Sequence, residues 1–144
     1  MSRYLLDTNV LLHLVNKSAG HELIASRIAA TPSDRIRISA PTVWEIARMV
    51  EKATHKHSIT TKASKAAIVA MEWFHVEPLT QSAAAVSGNL YAWLANQGRT
   101  ISERDSMIAG VALVHGYTMV TDNTREYMRV PGLRVENWRS DDAL

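Results

Sequence analysis

Short apolar segments of strand character alternate along this chain with longer segments whose apolar residues recur at helical spacing. Pairs of helices are indicated between successive strands, so the predicted element order is β-α-α-β-α-α-β-α-α-β-α. This alternation predicts an α/β fold in which helices cover both faces of a central parallel sheet of four to five strands. The strand-like segments are 4–6, 36–40, 74–79 and 117–121, and a possible short final strand covers 133–135.

The length and composition predict a single domain that spans 1–144 and ends in a short polar tail from about residue 139. A chain of 144 residues can bury roughly two thirds of its unfolded surface in one core. The sequence has no cysteine, which excludes disulfides, cysteine-ligated zinc and iron–sulfur clusters. No apolar run approaches the length of a membrane helix and no signal-peptide pattern is visible, so we expect a cytoplasmic protein that makes no membrane contact.

Four acidic residues lie where a strand-like segment ends or a helical segment begins. Two of them directly follow apolar strands, one lies in the first helical turn after Pro41, and one lies in the first turns of the helix that starts near Ser102. In an open parallel sheet, ligands bind beyond the carboxyl ends of the strands. We therefore expect these acids to converge at one edge of the sheet and to form a metal site. They are Asp7, Glu45, Asp105 and Asp122.

Each acid also has a purely structural interpretation. Asp7 and Asp122 could be helix N-caps that accept backbone N–H groups. Thr42 with Glu45, and Ser102 with Asp105, have the spacing of capping boxes. Helix capping explains any single acid well, and only the joint placement of all four favours a functional site.

Carboxylates that converge at one edge of the sheet repel one another. Two carboxylates roughly 5 Å apart at an effective dielectric near 20 repel by about 3 kcal/mol, so three ionised acids cost on the order of 10 kcal/mol. That energy is comparable to the whole stability of a domain. The acids must therefore be partly protonated, lie further apart or hold a cation, and oxygen ligands suit Mg²⁺ or Mn²⁺.

These residues also carry a resemblance to a known family. The chain resembles the PIN-domain ribonucleases, and more narrowly the VapC-type toxins of bacterial toxin–antitoxin pairs. The opening Asp7-Thr8-Asn9 and the later Asp105-Ser106-Met107 are parts of the matching pattern, which extends over nearly the whole chain. The matching segments are 5–10, 38–46, 105–110, 120–127 and 130–138.

The resemblance implies a PIN-like three-layer α/β/α sandwich and a metal-dependent endoribonuclease that cleaves RNA phosphodiester bonds and inhibits translation. It implies that Asp7, Glu45 and Asp105 are core catalytic and metal-binding acids, with Asp122 as the fourth. The cofactor implied is Mg²⁺, with Mn²⁺ able to substitute. Residues expected to orient the acids or a water, or to contact the substrate, are Asn9, Asn123 and Arg125.

The resemblance also implies partners. The substrate would be an RNA, with tRNA or rRNA favoured over mRNA. A cognate VapB-like antitoxin would hold the protein near its acidic site, and the protein would form a homodimer.

A large aromatic residue, Trp44, could belong to the core or to such an interface, and core is the default interpretation.

The net charge of +2 does not by itself indicate nucleic-acid binding, so the distribution of basic residues is more informative. A basic stretch follows the Glu45 helix and arginines recur near the C-terminus, and either could contact phosphates or simply be solvated. We expect Arg125 and Arg104 to be the more relevant cations because they neighbour Asp122 and Asp105. The basic residues are Lys52, His55, Lys56, His57, Lys62, Lys65, Arg125, Arg129, Arg134 and Arg139.

Two other functions remain open from the sequence. The chain could be a catalytically inactive PIN-like module that binds RNA or protein, although a complete acidic set argues against it. It could also be a phosphatase or phosphoacceptor domain with Asp7 as nucleophile. That chemistry usually has a second Asp two residues later, where this chain has Asn9.

Overall fold

The architecture is a five-stranded sheet flanked by helices, as seen in a computed structural model that describes residues 1–55 and 61–140. For residues 54, 55 and 61–65 the structure describes the backbone but not the side chains. The strands are β1 (Tyr4–Leu6), β2 (Ile36–Ser39), β3 (His75–Glu77), β4 (Thr118–Val120) and β5 (Val135–Glu136). The helices are α1 (Thr8–Asn16), α2 (His21–Ala30), α3 (Ala40–His55), α4 (Thr61–Trp73), α5 (Gln81–Asn96), α6 (Glu103–His115) and α7 (Thr124–Tyr127), with a 3₁₀ turn at Ser33–Arg35.

All the strand pairs are parallel, and the strand order is β3-β2-β1-β4-β5. The central strand β1 pairs with both β2 and β4, so that Leu6 lies opposite Ile38 on one side and Val120 on the other. This register brings the carboxyl ends of three strands to one edge of the sheet. The α/β class and the parallel sheet expected from the sequence are confirmed.

Two apolar clusters fill the spaces above and below the sheet. Because successive side chains of a strand point to opposite faces, Leu5 and Leu6 enter different clusters. Leu5 packs with residues of α5 and α6 such as Leu94 and Ile108, and Leu6 packs with residues of α1 to α4 such as Leu11. The result is the expected three-layer α/β/α sandwich.

Local details differ from the predicted boundaries, and strands β2, β3 and β4 are each shorter than the predicted segments 36–40, 74–79 and 117–121. The final strand covers Val135–Glu136 rather than 133–135. Helix α3 begins at Ala40, before Pro41, because the hydroxyl of Ser39 accepts the backbone N–H of Thr42 at 3.3 Å. Trp44 on this helix is 57% exposed, so its assignment to the core was wrong.

None of the helices in the described part of the chain is both long and apolar enough to cross a membrane. Trp138 is buried against the sheet, and Arg139, the first residue of the predicted polar tail, donates a hydrogen bond to the carbonyl of Ala19. Residues 141–144 of that tail lie outside the described residues.

Candidate active site

Asp7 lies at the carboxyl end of the central strand and is the most buried of the four acids, with 5% of its surface exposed. Its backbone N–H continues the sheet by donating to Val120, and its side chain caps α1 by accepting the N–H of Thr8 at 2.8 Å. The second carboxylate oxygen accepts the hydroxyl of Thr121 at 2.8 Å. Asp7 therefore has the capping role that was considered, but it is also fixed from β4.

The environment of Asp7 disfavours its charged form. Burial raises the pKa of Asp7 to about 7, and the negative charges of Asp105 and Glu45 contribute in the same direction. The hydrogen bonds from Thr121 and Thr8 oppose this rise only in part. The negative charges of two predicted acids, Asp105 and Glu45, thus act on a third, Asp7, at the sheet edge.

Asp105 projects from the first turn of α6, where the hydroxyl of Ser102 accepts its backbone N–H at 3.0 Å. Its carboxylate accepts the hydroxyl of the buried Tyr127 at 3.2 Å. Burial is the main cause that raises the pKa of Asp105, with a further contribution from the charge of Glu126. The Ser102 cap is confirmed, and it positions the backbone while Tyr127 holds the carboxylate.

Glu45 lies on α3 and forms an ion pair with Arg104, whose Nε is 2.7 Å from the carboxylate, although the N–H is not aligned for a hydrogen bond. The hydroxyl of Thr8 lies 3.3 Å from the same carboxylate and 3.1 Å from the hydroxyl of Thr42. The interpretation of Thr42 as an N-cap was wrong because α3 starts two residues earlier. Glu45 therefore lies beyond the first turn and faces Asp7 and its neighbours.

Asp122 is held differently from Asp7. Its carboxylate accepts a hydrogen bond of 2.8 Å from Arg139 and lies 3.1 Å from Nε2 of His13. The N-cap position of the short helix α7 is Asn123. The prediction that Asp122 repeats the N-cap geometry of Asp7 was therefore wrong. Two residues separate Val120 from Asn123, and this short turn points Asp122 toward the C-terminal segment.

The residues expected to support the acids lie beside them. The amide of Asn9 accepts the N–H of Asp122 at 3.3 Å and lies 3.5 Å from the hydroxyl of Thr121, which in turn contacts Asp7. Asn123 donates its amide to Glu126 at 2.8 Å. Arg125 is exposed on α7, and the cation that contacts Asp122 is Arg139 instead.

The basic stretch begins within α3 at Lys52, and the structure describes only part of it. Lys52 is exposed, whereas Lys56 and His57, and the side chains of His55, Lys62 and Lys65, lie outside the described residues. Among the C-terminal arginines, Arg129 and Arg134 donate to the backbone carbonyls of Thr100 and Gly116. Those two arginines stabilise loops on the surface.

The three acids Asp7, Glu45 and Asp105 offer the oxygen donors that a hard divalent cation prefers. Asp7, Glu45 and Asp105 supply only oxygen atoms, and their mutual repulsion would be relieved by a positive charge. Within residues 1–55 and 61–140, no group of three or more His, Cys, Asp or Glu side chains is arranged so that it could hold a metal ion by itself. Mg²⁺ tolerates this because it keeps several waters and takes only one or two carboxylates directly.

Comparison with known proteins decides the family. A family model described as the PIN domain matches residues 4–133. This chain is a PIN-domain protein. Among its relatives, the tRNA(fMet)-specific endonuclease VapC of Shigella flexneri is 34% identical over 143 residues, covering 96% of this chain and 99% of that protein. Ribonuclease VapC2 of Haemophilus influenzae strain KW20 is 32% identical over 142 residues, with the same coverage of both proteins.

Solved structures support the same family assignment. The DNA-bound VapBC of Salmonella typhimurium contains a chain that superposes with a TM-score of 0.80 at 31% identity, covering 96% of this chain and 99% of that one. VapBC2 of Rickettsia felis, bound to a DNA fragment from its promoter, gives 0.76 at 25% identity, with coverage of 94% and 98%. Within the PIN-domain family, the chain belongs to the VapC proteins.

Several functional neighbours of the acids were not found from the sequence. Their side chains reach the site only through tertiary contacts, and no local pattern distinguishes them from ordinary polar residues of strands and helices. They are His13, Thr121, Glu126 and Tyr127, while Arg139 had been considered only as a phosphate contact and not as a partner of Asp122.

Proposed function

We propose that this PIN-domain protein is a metal-dependent endoribonuclease and the toxin of a VapBC-type toxin–antitoxin pair. The observation that carries the proposal is that Asp7 is buried at the carboxyl edge of the sheet with Asp105 and Glu45 near enough for their charges to act on it. Keeping a carboxyl buried beside two others costs stability, and such strained acid clusters are typical of functional sites. VapC ribonucleases of similar length and sequence support the same assignment.

The metal would be Mg²⁺, with Mn²⁺ able to substitute. Asp7, Glu45 and Asp105 would hold it, and Asp122 would contribute as a fourth acid after exchanging its contacts with Arg139 and His13. When bound, a divalent cation supplies charge that stabilises the phosphate oxygens and favours deprotonation of the attacking water. The single domain of 1–144 would supply this whole site.

The protein's own residues would prepare the site for substrate. Thr8 and Thr121 hold the two oxygens of Asp7 in fixed directions, and Tyr127 does the same for Asp105. Asn9 supports Thr121 and Asp122 from α1. We assign Asn123 to positioning of Glu126, and the exposed Arg125 to contact with the phosphates of the substrate.

Substrate and partners follow from the relatives. One relative is named a tRNA(fMet)-specific endonuclease, which supports tRNA or rRNA rather than mRNA as the RNA cleaved here. Structures named VapBC support a VapB-like antitoxin as partner. We propose in addition a homodimer in the cytoplasm, which light scattering of the purified protein would test. Co-purification with the product of the neighbouring gene would test the antitoxin.

The inactive binding module is not favoured. All four predicted acids are present in the chain, and the relatives it matches over nearly their whole length are named ribonucleases or endonucleases. The phosphoacceptor alternative is weaker still, because Asn9 contacts Thr121 and Asp122 and is no second acid.

The decisive experiment is cleavage of total cellular RNA by purified protein that has been freed of any antitoxin. Reactions with Mg²⁺, Mn²⁺ or EDTA are compared for the wild type, Asp7→Asn and Asp105→Asn, and fragment ends are mapped by sequencing. Asp34→Asn is the matched control, because Asp34 is exposed on the 3₁₀ turn outside the site. Discrete metal-dependent cuts that only the two site variants lose would support the proposal. Intact RNA in every metal, with folded protein, would refute it.

A further inference from the structure

An open apolar cavity of ≈590 Å³ lies beside the acids, between the first turns of α3 and α6. Trp44 forms one wall and Met107 another, and both are partly exposed, Trp44 by 57% and Met107 by 37%. Arg104 belongs both to the cavity and to the ion pair with Glu45. A molecule that occupies the cavity therefore lies next to the proposed cleavage site.

Two guanidinium groups lie near the indole of Trp44, and that of Arg104 also pairs with Glu45. The guanidinium carbons of Arg48 and Arg104 lie 5.6 and 5.9 Å from the ring centre, within the range of cation–π attraction. A flat aromatic surface with positive charge around it is the arrangement by which proteins bind single-stranded nucleic acid, because bases stack on the ring and phosphates approach the cations. An acidic occupant would use only the positive charge, and a purely aliphatic one would use only the apolar ring surface.

We propose that Trp44 is the stacking surface for an unpaired nucleobase of the RNA, adjacent to the scissile phosphate, with Arg48 and Arg104 attracting the flanking phosphates. The inference rests on RNA being the substrate, as proposed above. It makes Trp44 a specificity-determining residue that selects single-stranded or flipped-out nucleotides at the cut. Stacking explains why a large aromatic side chain remains exposed on α3 beside the acidic site.

The test measures binding rather than cleavage. Wild-type protein in EDTA is titrated with a labelled single-stranded oligoribonucleotide of mixed sequence, and with an abasic oligoribonucleotide of the same length. Stacking of one base is expected to give a preference of about tenfold for the oligonucleotide that carries bases. Trp44→Phe should retain most of the preference and Trp44→Leu should remove it, with an unchanged salt dependence because phosphate contacts remain.

Trp93→Leu is the matched control, because Trp93 on α5 is also exposed, by 46%, and does not line the cavity. It should keep the full preference. A base preference that persists in Trp44→Leu, or that is absent from the wild type, would overturn the inference. Loss of antitoxin co-purification by Trp44→Leu, with base preference intact, would likewise overturn it and assign the cavity to a protein.

The two proposals fail separately in these experiments. A protein that cleaves RNA without any Trp44-dependent base preference refutes the stacking surface and leaves the nuclease. Trp44-dependent base preference in a protein that cleaves nothing refutes the nuclease and supports the stacking surface. Once the cut is mapped, an abasic residue beside it should slow single-turnover cleavage, and Trp44→Leu should add no further loss.

Discussion

The hydroxyl of Thr121 donates a 2.8 Å hydrogen bond to the carboxylate of Asp7, across 114 positions of sequence. The contact joins the carboxyl ends of β4 and β1, and both residues are buried. It is one of two hydrogen bonds that lower the pKa of Asp7 against the larger effect of burial. The ionisation of Asp7, and with it the charge available to a metal, therefore depends on a neighbouring strand.

Thr121→Val should shift the acid limb of the cleavage activity to higher pH. The variant removes a donor that favours the charged form of Asp7, so the pKa of Asp7 rises. As the pH is lowered, Asp7 then becomes protonated at a higher pH than in the wild type. Stability should fall by about 1–3 kcal/mol because a buried acceptor loses its partner. The pH profile of the cleavage rate checks this, with Thr118→Val, at the start of the preceding strand β4, as the control. Equal profiles for both variants would contradict it.

Asp7→Asn should stabilise the metal-free protein more at about pH 8 than at about pH 5. The pKa of Asp7 is about 7 in the folded protein against an ordinary value of 3.8, so the folded state binds more protons between these values. Stability therefore falls as pH rises through this window, by at most on the order of 4 kcal/mol. Asparagine carries no charge and escapes that loss.

Urea unfolding of the wild type and Asp7→Asn in EDTA at both pH values measures the effect. Asp34→Asn, which removes an exposed acid outside the site, is the matched control for loss of a carboxylate. A stability difference between Asp7→Asn and the wild type that is the same at both pH values would show that Asp7 is ionised throughout.

Mg²⁺ should raise the stability of the wild type above neutral pH and much less below it. Metal ligands must be deprotonated, so protons compete with the metal at Asp7. At roughly a hundredfold excess of metal over Kd the gain is about 2.7 kcal/mol. Thermal melts with Mg²⁺ or EDTA report it, and Asp7→Asn should lose most of the gain. A similar shift in that variant would place the ion elsewhere.

Tyr127→Phe should reduce cleavage and move its acid limb to higher pH, while the fold is retained. The hydroxyl of Tyr127 is 3.2 Å from Asp105 and lowers the pKa of that carboxyl, so its loss favours the protonated acid. The cost in stability should be about 1 kcal/mol. The matched control is Tyr91→Phe on the exposed side of α5. Unchanged activity at low pH would remove Tyr127 from the positioning of Asp105.

Two helical glycines should respond to alanine with opposite signs. A Cβ at Gly110 of α6 would lie 2.6 Å from the carbonyl oxygen of Ala83, so Gly110→Ala must separate α5 and α6 and should cost about 1–3 kcal/mol. A Cβ at Gly88 of α5 meets nothing within 4 Å, so Gly88→Ala should stabilise by about 0.5–1 kcal/mol. Urea unfolding of both variants measures the two effects. Destabilisation by both would contradict the packing seen here.

The sequence alone was sufficient for the α/β class, the order of the elements and the placement of three acids at one sheet edge. Strand and helix periodicity are local properties, and the parallel connection places strand ends on one side for general reasons. Asp7, Glu45 and Asp105 followed because each lies close to such a strand end or helix start. The sequence did not fix where each helix begins. Helix α3 begins at Ala40 because the hydroxyl of Ser39, and not that of Thr42, accepts a backbone N–H at its start.

Tertiary structure alone decided the states of those acids. The pKa of Asp7 depends on burial by distant segments and on Thr121, and the carboxylate of Asp105 depends on Tyr127. Asp122 has the same local pattern as Asp7, yet Arg139 from the C-terminal segment holds it apart from the cap position. Hydrogen bonds and desolvation act through space over a few ångströms, and residues that are close in space are encoded far apart in the chain.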